Sequence, residues 1–191
     1  MKSLLSFAGA IALLFATTVV AEDAKKPVKS GLQAGKSLGA FDVVKCAGEE
    51  ADNVPLGDKL CYRCRNGSRP QVMVFTKSTG KQVTELVKQL DQHIAKFEDE
   101  QLRAFVNVLG DSKSSAEKSV KELAKSAKTK SVPYVVPVEF ENGPENYALN
   151  PKAEVTIIVG NKSKVVANFA YASADKVDIK AVVGSVKKMF N

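Results

Sequence analysis

The chain is poor in the residues on which most catalytic and binding machinery is built. It has one histidine, no tryptophan and three cysteines among 191 residues. With His93 as its one imidazole and no second partner near a serine, it has no hydrolase relay. Three cysteines cannot make a disulfide scaffold at this length, so the hydrophobic core must carry the stability. No glycine-rich phosphate loop, paired-carboxylate spacing or internal repeat occurs, and beyond the amino terminus no segment is apolar for long enough to cross a membrane. Aromatic residues make up 7% of the chain, and the lysines are spread rather than clustered, despite a formal charge of +7. That pattern describes a solvated basic surface and argues against a nucleic-acid partner.

What is present begins with a leader. Lys2 precedes an apolar stretch from Leu4 to Val20, and Val19-Val20-Ala21 places small residues before the polar Glu22-Asp23. Residues 1–21 are therefore expected to be a secretory signal peptide, giving an exported, periplasmic or extracellular protein with no stable membrane insertion after cleavage. Residues 22–35 are Lys-, Ala-, Gly- and Ser-rich without periodicity and are expected to form a flexible leader. Residues 36–191 then make one domain. In an oxidising compartment the odd cysteine count predicts one bridge and one free thiol.

Hydrophobic periodicity orders the domain. Phe41 to Ala47 is β-rich, and Gly48 to Asp58 is acidic and turn-forming. Val72 to Phe75 is continuously apolar, as in a strand covered on both faces. Val83, Leu86, Val87, Leu90, Ile94 and Phe97 recur at helical spacing between Gly80 and Phe97, with Ser78 or Thr79 as the expected cap. Leu102 to Leu109 is a second central strand, followed by a helix from Ser114 to Lys128. Pro133 and Pro137 interrupt Val132 to Phe140, which predicts an edge or bulged strand. Val155–Val159 and Lys164–Tyr171 form a hairpin, and Asp175 to Phe190 closes the chain as a helix. Strand, helix, strand demands a parallel right-handed crossover, hence an α/β mixed sheet with helices on both faces.

Chemistry concentrates at Cys61-Tyr62-Arg63-Cys64-Arg65. The spacing brings two thiols close enough to oxidise, and Arg63 and Arg65 are candidate stabilisers of a thiolate. Two readings stand open, a redox-active pair and a permanent staple. Arg65 stands where haem attachment requires a histidine, which argues against it, and no cofactor is expected. A weaker alternative gathers Cys46, Cys61, Cys64 and His93 into a zinc site. Otherwise Cys46 is a small strand residue or a resolving thiol, and His93 a packing residue.

The element order, with V-M-V-F-T-K-S-T-G (Val72 to Gly80) and N-P-K-A-E-V-T-I-I-V (Asn150 to Val159), resembles the thioredoxin-like superfamily, nearest its peroxiredoxin-like branch. The resemblance implies that Thr76, Lys77, Ser78 and Thr79 occupy the active-site turn, here without sulfur, and that Pro151 is the family's cis-proline. It implies thiol–disulfide activity with a protein thiol or disulfide partner, but through a relocated Cys-x-x-Cys that precedes the first central strand, toward the sheet's non-catalytic end. The alternative is a non-catalytic binding or scaffold domain in which the Cys61–Cys64 bridge is structural. The oligomeric state is not legible. If the leader is read correctly, intact-mass analysis of the exported protein will find Glu22 at its amino terminus; retention of residues 1–21 would contradict that assignment.

Overall fold

The computed structural model describes residues 28–190, so the expected signal peptide and the first part of the expected leader lie outside the described residues. Among the described residues there are seven strands: β1 (Val43–Gly48), β2 (Lys59–Leu60), β3 (Gln71–Thr76), β4 (Arg103–Val108), β5 (Pro133–Pro137), β6 (Val155–Asn161) and β7 (Lys164–Tyr171). The helices are α1 (Tyr62–Asn66), α2 (Lys81–Lys96), α3 (Lys113–Ala127) and α4 (Ile179–Lys187). All strands join one mixed sheet in the order β2-β1-β5-β4-β3-β6-β7. β3 pairs parallel to β4, and β4 to β5, while β6 pairs antiparallel to β3.

Side-chain alternation along the central strands divides the core in two. Val72, Val74, Val106 and Ile157 face α2, α3 and α4, meeting Leu86, Leu90, Val120, Leu123, Val182 and Val186. Met73, Phe75, Phe105, Val135 and Ile158 face the other way and meet Tyr62, Leu38, Phe41 and Tyr147. The three longer helices thus share one face. Only the five-residue α1 and a short helical turn at Glu145–Tyr147 bring helix to the second. That second face is an aromatic layer, with Phe41 against Tyr147 at 4.8 Å and Tyr62 stacked on Phe105 at 5.7 Å between ring centroids.

Several expectations change in detail. β5 is interior, between β1 and β4, not an edge. Its prolines are its first and last residues, where the ladder needs their N–H groups least, and the register shift falls in β1 between Lys45 and Ala47. Gly80, not Ser78 or Thr79, caps α2; the Ser78 hydroxyl accepts the Gly80 N–H (3.1 Å) and tightens the preceding turn instead. The terminal helix is divided: a turn at Ala174–Lys176 ends, and Asp178 restarts the chain as α4 by accepting the Ala181 N–H (2.9 Å).

The leader is also shorter than expected. Ser30 is buried and its hydroxyl shares a hydrogen bond with Thr156 (2.7 Å), while Asn168 donates to the carbonyls of Ser30 and Leu32. Gly35 N–H donates to Val165 O (2.8 Å). Residues 28–35 therefore strap β7, and the polar composition that reads as a flexible leader supplies the hydrogen bonds of that strap.

The β6–β7 hairpin turns through Lys162 and Ser163, at φ 49° and 61°. Two left-handed residues in succession suit the twist of a two-residue hairpin, but glycine fits the second position best. Ser163→Gly is expected to stabilise the fold by about 1 kcal/mol, measured as a higher urea midpoint with an unchanged slope.

Candidate functional site

The Cys-x-x-Cys builds its own local structure. Cys61 adopts an extended backbone (φ −112°, ψ 96°) and caps α1, its sulfur accepting the Cys64 N–H at 3.1 Å. Gly67, at φ 59°, ends the helix with its N–H bonded to Arg63 O and Cys64 O. Cys61 and Cys64 are joined in a disulfide, with S–S 2.08 Å and Cα atoms 5.2 Å apart. Cys61 is half-buried and Cys64 exposed.

α1 is anchored by the residue between the cysteines. Tyr62 is 3% exposed, stacks on Phe105 and donates its hydroxyl to a carboxylate oxygen of Asp52. The other Asp52 oxygen accepts from Lys45 Nζ (2.6 Å) and from Val54 N–H (3.0 Å). Lys45 also donates to the carbonyls of Glu49 and Val54. Burial alone would raise the Asp52 pKa, but the hydrogen bonds from Lys45, Tyr62 and Val54, with the lysine's charge, hold it below the ordinary carboxylate value. Burial, reinforced by the Asp52 carboxylate, pushes the Tyr62 phenol well above its ordinary range.

The ladder places this unit differently from what chain order alone suggests. β2 runs antiparallel to β1, pairing Leu60 with Val43, and Val43 pairs with Pro137. Cys61 therefore starts level with the carboxyl end of β5, not at the sheet's amino end, and α1 returns across the aromatic face to the start of β3. In strand order β2 lies four places from β3, or about 19 Å at the usual strand spacing. The sulfur pair is beside the edge of the sheet, and the turn at Thr76–Thr79 follows its central strand.

That turn is internally bonded. Thr76 Oγ1 accepts the Ser78 N–H (3.0 Å) and donates to Ser78 O (2.9 Å), while Lys77 N–H donates to Glu154 O (2.9 Å). Lys77 Nζ donates to the backbone oxygen of Pro151 (3.1 Å). The Pro151 peptide bond, however, is not cis; none is among the described residues. Ala153 N–H closes back on Asn150 O (2.9 Å), putting Pro151 second in a four-residue turn, a position that takes a trans proline.

The sheet separates the other candidates. Cys46 on β1 packs against the face that carries the three long helices, the face on which His93 of α2 is buried. Cys61 and Cys64 belong to α1 on the opposite face. The four proposed zinc ligands are therefore not brought together, and among the described residues no group of three metal-binding side chains is. Cys46, whose thiol donates to Val44 O (3.5 Å), cannot resolve the Cys61–Cys64 pair across the sheet. Burial, with Glu117 nearby, raises its pKa and keeps it protonated. His93 Nδ1 lies 2.7 Å from Gln89 O.

Nor do the two arginines act as expected in the oxidised form. Arg65 donates to Asp52 O (2.6 Å), and Arg63 is half-buried with an unpartnered Nε, close enough to Tyr147 for its charge to reach the phenol. Neither hydrogen-bonds to a sulfur; the Cys64 N–H does. Sequence reasoning also missed Lys45, Asp52 and Tyr62. A lysine inside V-V-K-C-A was a usable signal, because a charge at an inward position of a strand demands a partner. Which acidic residue of the following turn supplies it is fixed only by tertiary contacts.

With seven strands, the crossover helices and the Cys-x-x-Cys placed, the chain is a thioredoxin-like fold. No protein-family model matches it, and no curated protein matches it in sequence. Solved structures do match in fold. Mycobacterium tuberculosis AhpC aligns with a TM-score of 0.60 at 12% identity, covering 84% of this chain and 99% of that one. The thioredoxin domain of a thiol-disulfide oxidoreductase from Bacteroides vulgatus aligns at 0.58 and 13%, covering 84% and 99%. A yeast mitochondrial 1-Cys peroxiredoxin aligns at 0.54 and 14%, covering 83% and 78%.

Asp52 binds its proton less readily in the folded chain than in the unfolded one. Its contribution to stability is therefore complete above the ordinary carboxylate pKa and is lost as pH falls below about 4. Asp52→Asn, which leaves the Lys45 ammonium buried without its carboxylate, is expected to cost about 3–5 kcal/mol at neutral pH. Urea unfolding at pH 7 and pH 3 will show that deficit shrinking with acidification.

Proposed function

We propose that the protein is an exported thiol–disulfide exchange protein acting through Cys61 and Cys64. The observation that carries this reading is the exposed Cys64 joined to a Cys61 whose sulfur already accepts a backbone N–H. A partner thiolate attacks Cys64 Sγ, forming a mixed disulfide and releasing Cys61 as a thiolate, which the Cys64 N–H receives. A second partner thiolate displaces Cys64; the partner leaves as a disulfide and the protein holds two thiols. In the reverse direction Cys64 attacks a partner disulfide and Cys61 resolves the intermediate. A two-residue spacing also stabilises little as a staple: closing so small a loop is worth about 2 kcal/mol, against about 3 for a fifteen-residue loop.

One observation favours a second reading, a scaffold domain with a structural bridge. The residue between the cysteines, Tyr62, is a buried anchor of the aromatic face, so the bridge closes around a residue with a structural role.

The two diverge in redox titration. Exchange predicts a potential between about −120 and −270 mV, whereas a structural bridge lies below about −300 mV. Cys61→Ser should accumulate an unresolved mixed disulfide on Cys64 with a disulfide-bonded peptide, one peptide thiol leaving as the thiolate, and both single variants should lose disulfide-reductase activity to background. Full activity in both would eliminate the exchange mechanism.

A further inference from the structure

Beside the disulfide helix, a polar cavity of about 210 Å3 opens between the loop after β1, α1 and the start of β4. Its walls include Arg65 from α1, Arg69 from the turn after it and Arg103 from the first position of β4, together with Glu49, Asp52 and Tyr62. Three arginines from three places in the chain thus line one concavity. Among the described residues none of them has a carboxylate within ion-pair distance.

Each arginine is held by neutral oxygens instead. Arg65 donates to Asp52 O (2.6 Å), Arg69 to the side-chain oxygen of Gln101 (3.0 Å) and to Arg65 O (3.5 Å), and Arg103 to Leu102 O (2.9 Å). These bonds orient the groups while using one or two of the five N–H donors on each. The Asp52 carboxylate is already neutralised by Lys45, and Glu49, the other carboxylate on the wall, makes no ion pair but lies within range of the Arg103 and Arg65 charges. Three guanidinium charges against one free carboxylate leave the concavity net positive, and an anion bound there offsets that excess. The planar forks suit the two oxygens of a carboxylate or phosphate. The cavity is smaller than those that enclose drug-sized molecules, so it suits a single anionic group rather than a nucleotide.

We propose that Arg65, Arg69 and Arg103 form an oxyanion-binding site, taking one carboxylate or phosphate group beside the Cys61–Cys64 segment. The site stands whether or not the disulfide exchanges. The group is either a free inorganic oxyanion or an acidic side chain of a partner peptide, and titration separates them. The folded chain is titrated at low ionic strength with inorganic phosphate and, separately, with a short Glu-containing peptide and its Gln counterpart, followed by calorimetry or amide chemical shifts. Saturable binding of phosphate alone assigns a free oxyanion; binding of the Glu peptide but not the Gln peptide assigns a partner carboxylate. In either case Arg69→Gln and Arg103→Gln should each weaken binding about tenfold. Glu49→Gln should tighten it, and Lys188→Gln, an equal change of charge at the end of α4, should leave it unchanged. Exposed Arg69 serves as the test if Arg103→Gln fails to fold. Absence of saturable binding, or equal weakening by Lys188→Gln, overturns the proposal.

Discussion

Lys45 directs its ammonium from the middle of β1 into a shell of Asp52 and the carbonyls of Glu49 and Val54, leaving its side chain 1% exposed. Removing that charge from water costs several kcal/mol, which only a near-complete set of partners offsets. Supplying the partners fixes the loop after β1 into one shape. The same carboxylate then accepts the Tyr62 hydroxyl, so the shape of the loop decides where α1 lies. The position of both sulfurs, and of the arginines on the next turns, follows from one buried ion pair.

The sheet converts that local arrangement into a division of labour. Its central strands are buried on both sides, so whatever attaches to one face has no side-chain route to the other. Cys46 and His93 belong with the long helices, and Cys61 and Cys64 with the aromatic layer. In the turn after β3 the Thr76 hydroxyl and the Ser78 N–H bond to each other, and the Lys77 N–H is spent on Glu154. The strap formed by residues 28–35 covers the other flank of the aromatic layer, along β7.

Much of this was legible in the residues. The uninterrupted run at Val72 to Phe75 and the helical stripe from Val83 to Phe97 determine a parallel crossover whatever else the chain does, and the Asn161–Lys164 corner determines the hairpin. Legibility failed where a residue's meaning depends on a partner distant in sequence. Pro133 and Pro137 suggest an edge until their placement at the two ends of β5 is known. Ser30 suggests a loose leader until Thr156 is beside it. Order along the chain put the sulfur pair at the amino end of the sheet, and only the pairing of β2 with β1 shows that it begins level with the opposite end. Arg69 and Arg103 carry no pattern at all in sequence, because the cavity they line is assembled from separate elements.

Tyr62 sits between the two cysteines with its ring against Phe105 and its hydroxyl on Asp52, and neither contact involves sulfur. Opening the S–S bond therefore does not release the backbone that carries the thiols. They remain neighbours at a high effective concentration, and ring closure needs only side-chain rotation rather than a search by a flexible loop. A cysteine pair on a preformed turn of this kind can change oxidation state while the surface around it keeps its shape.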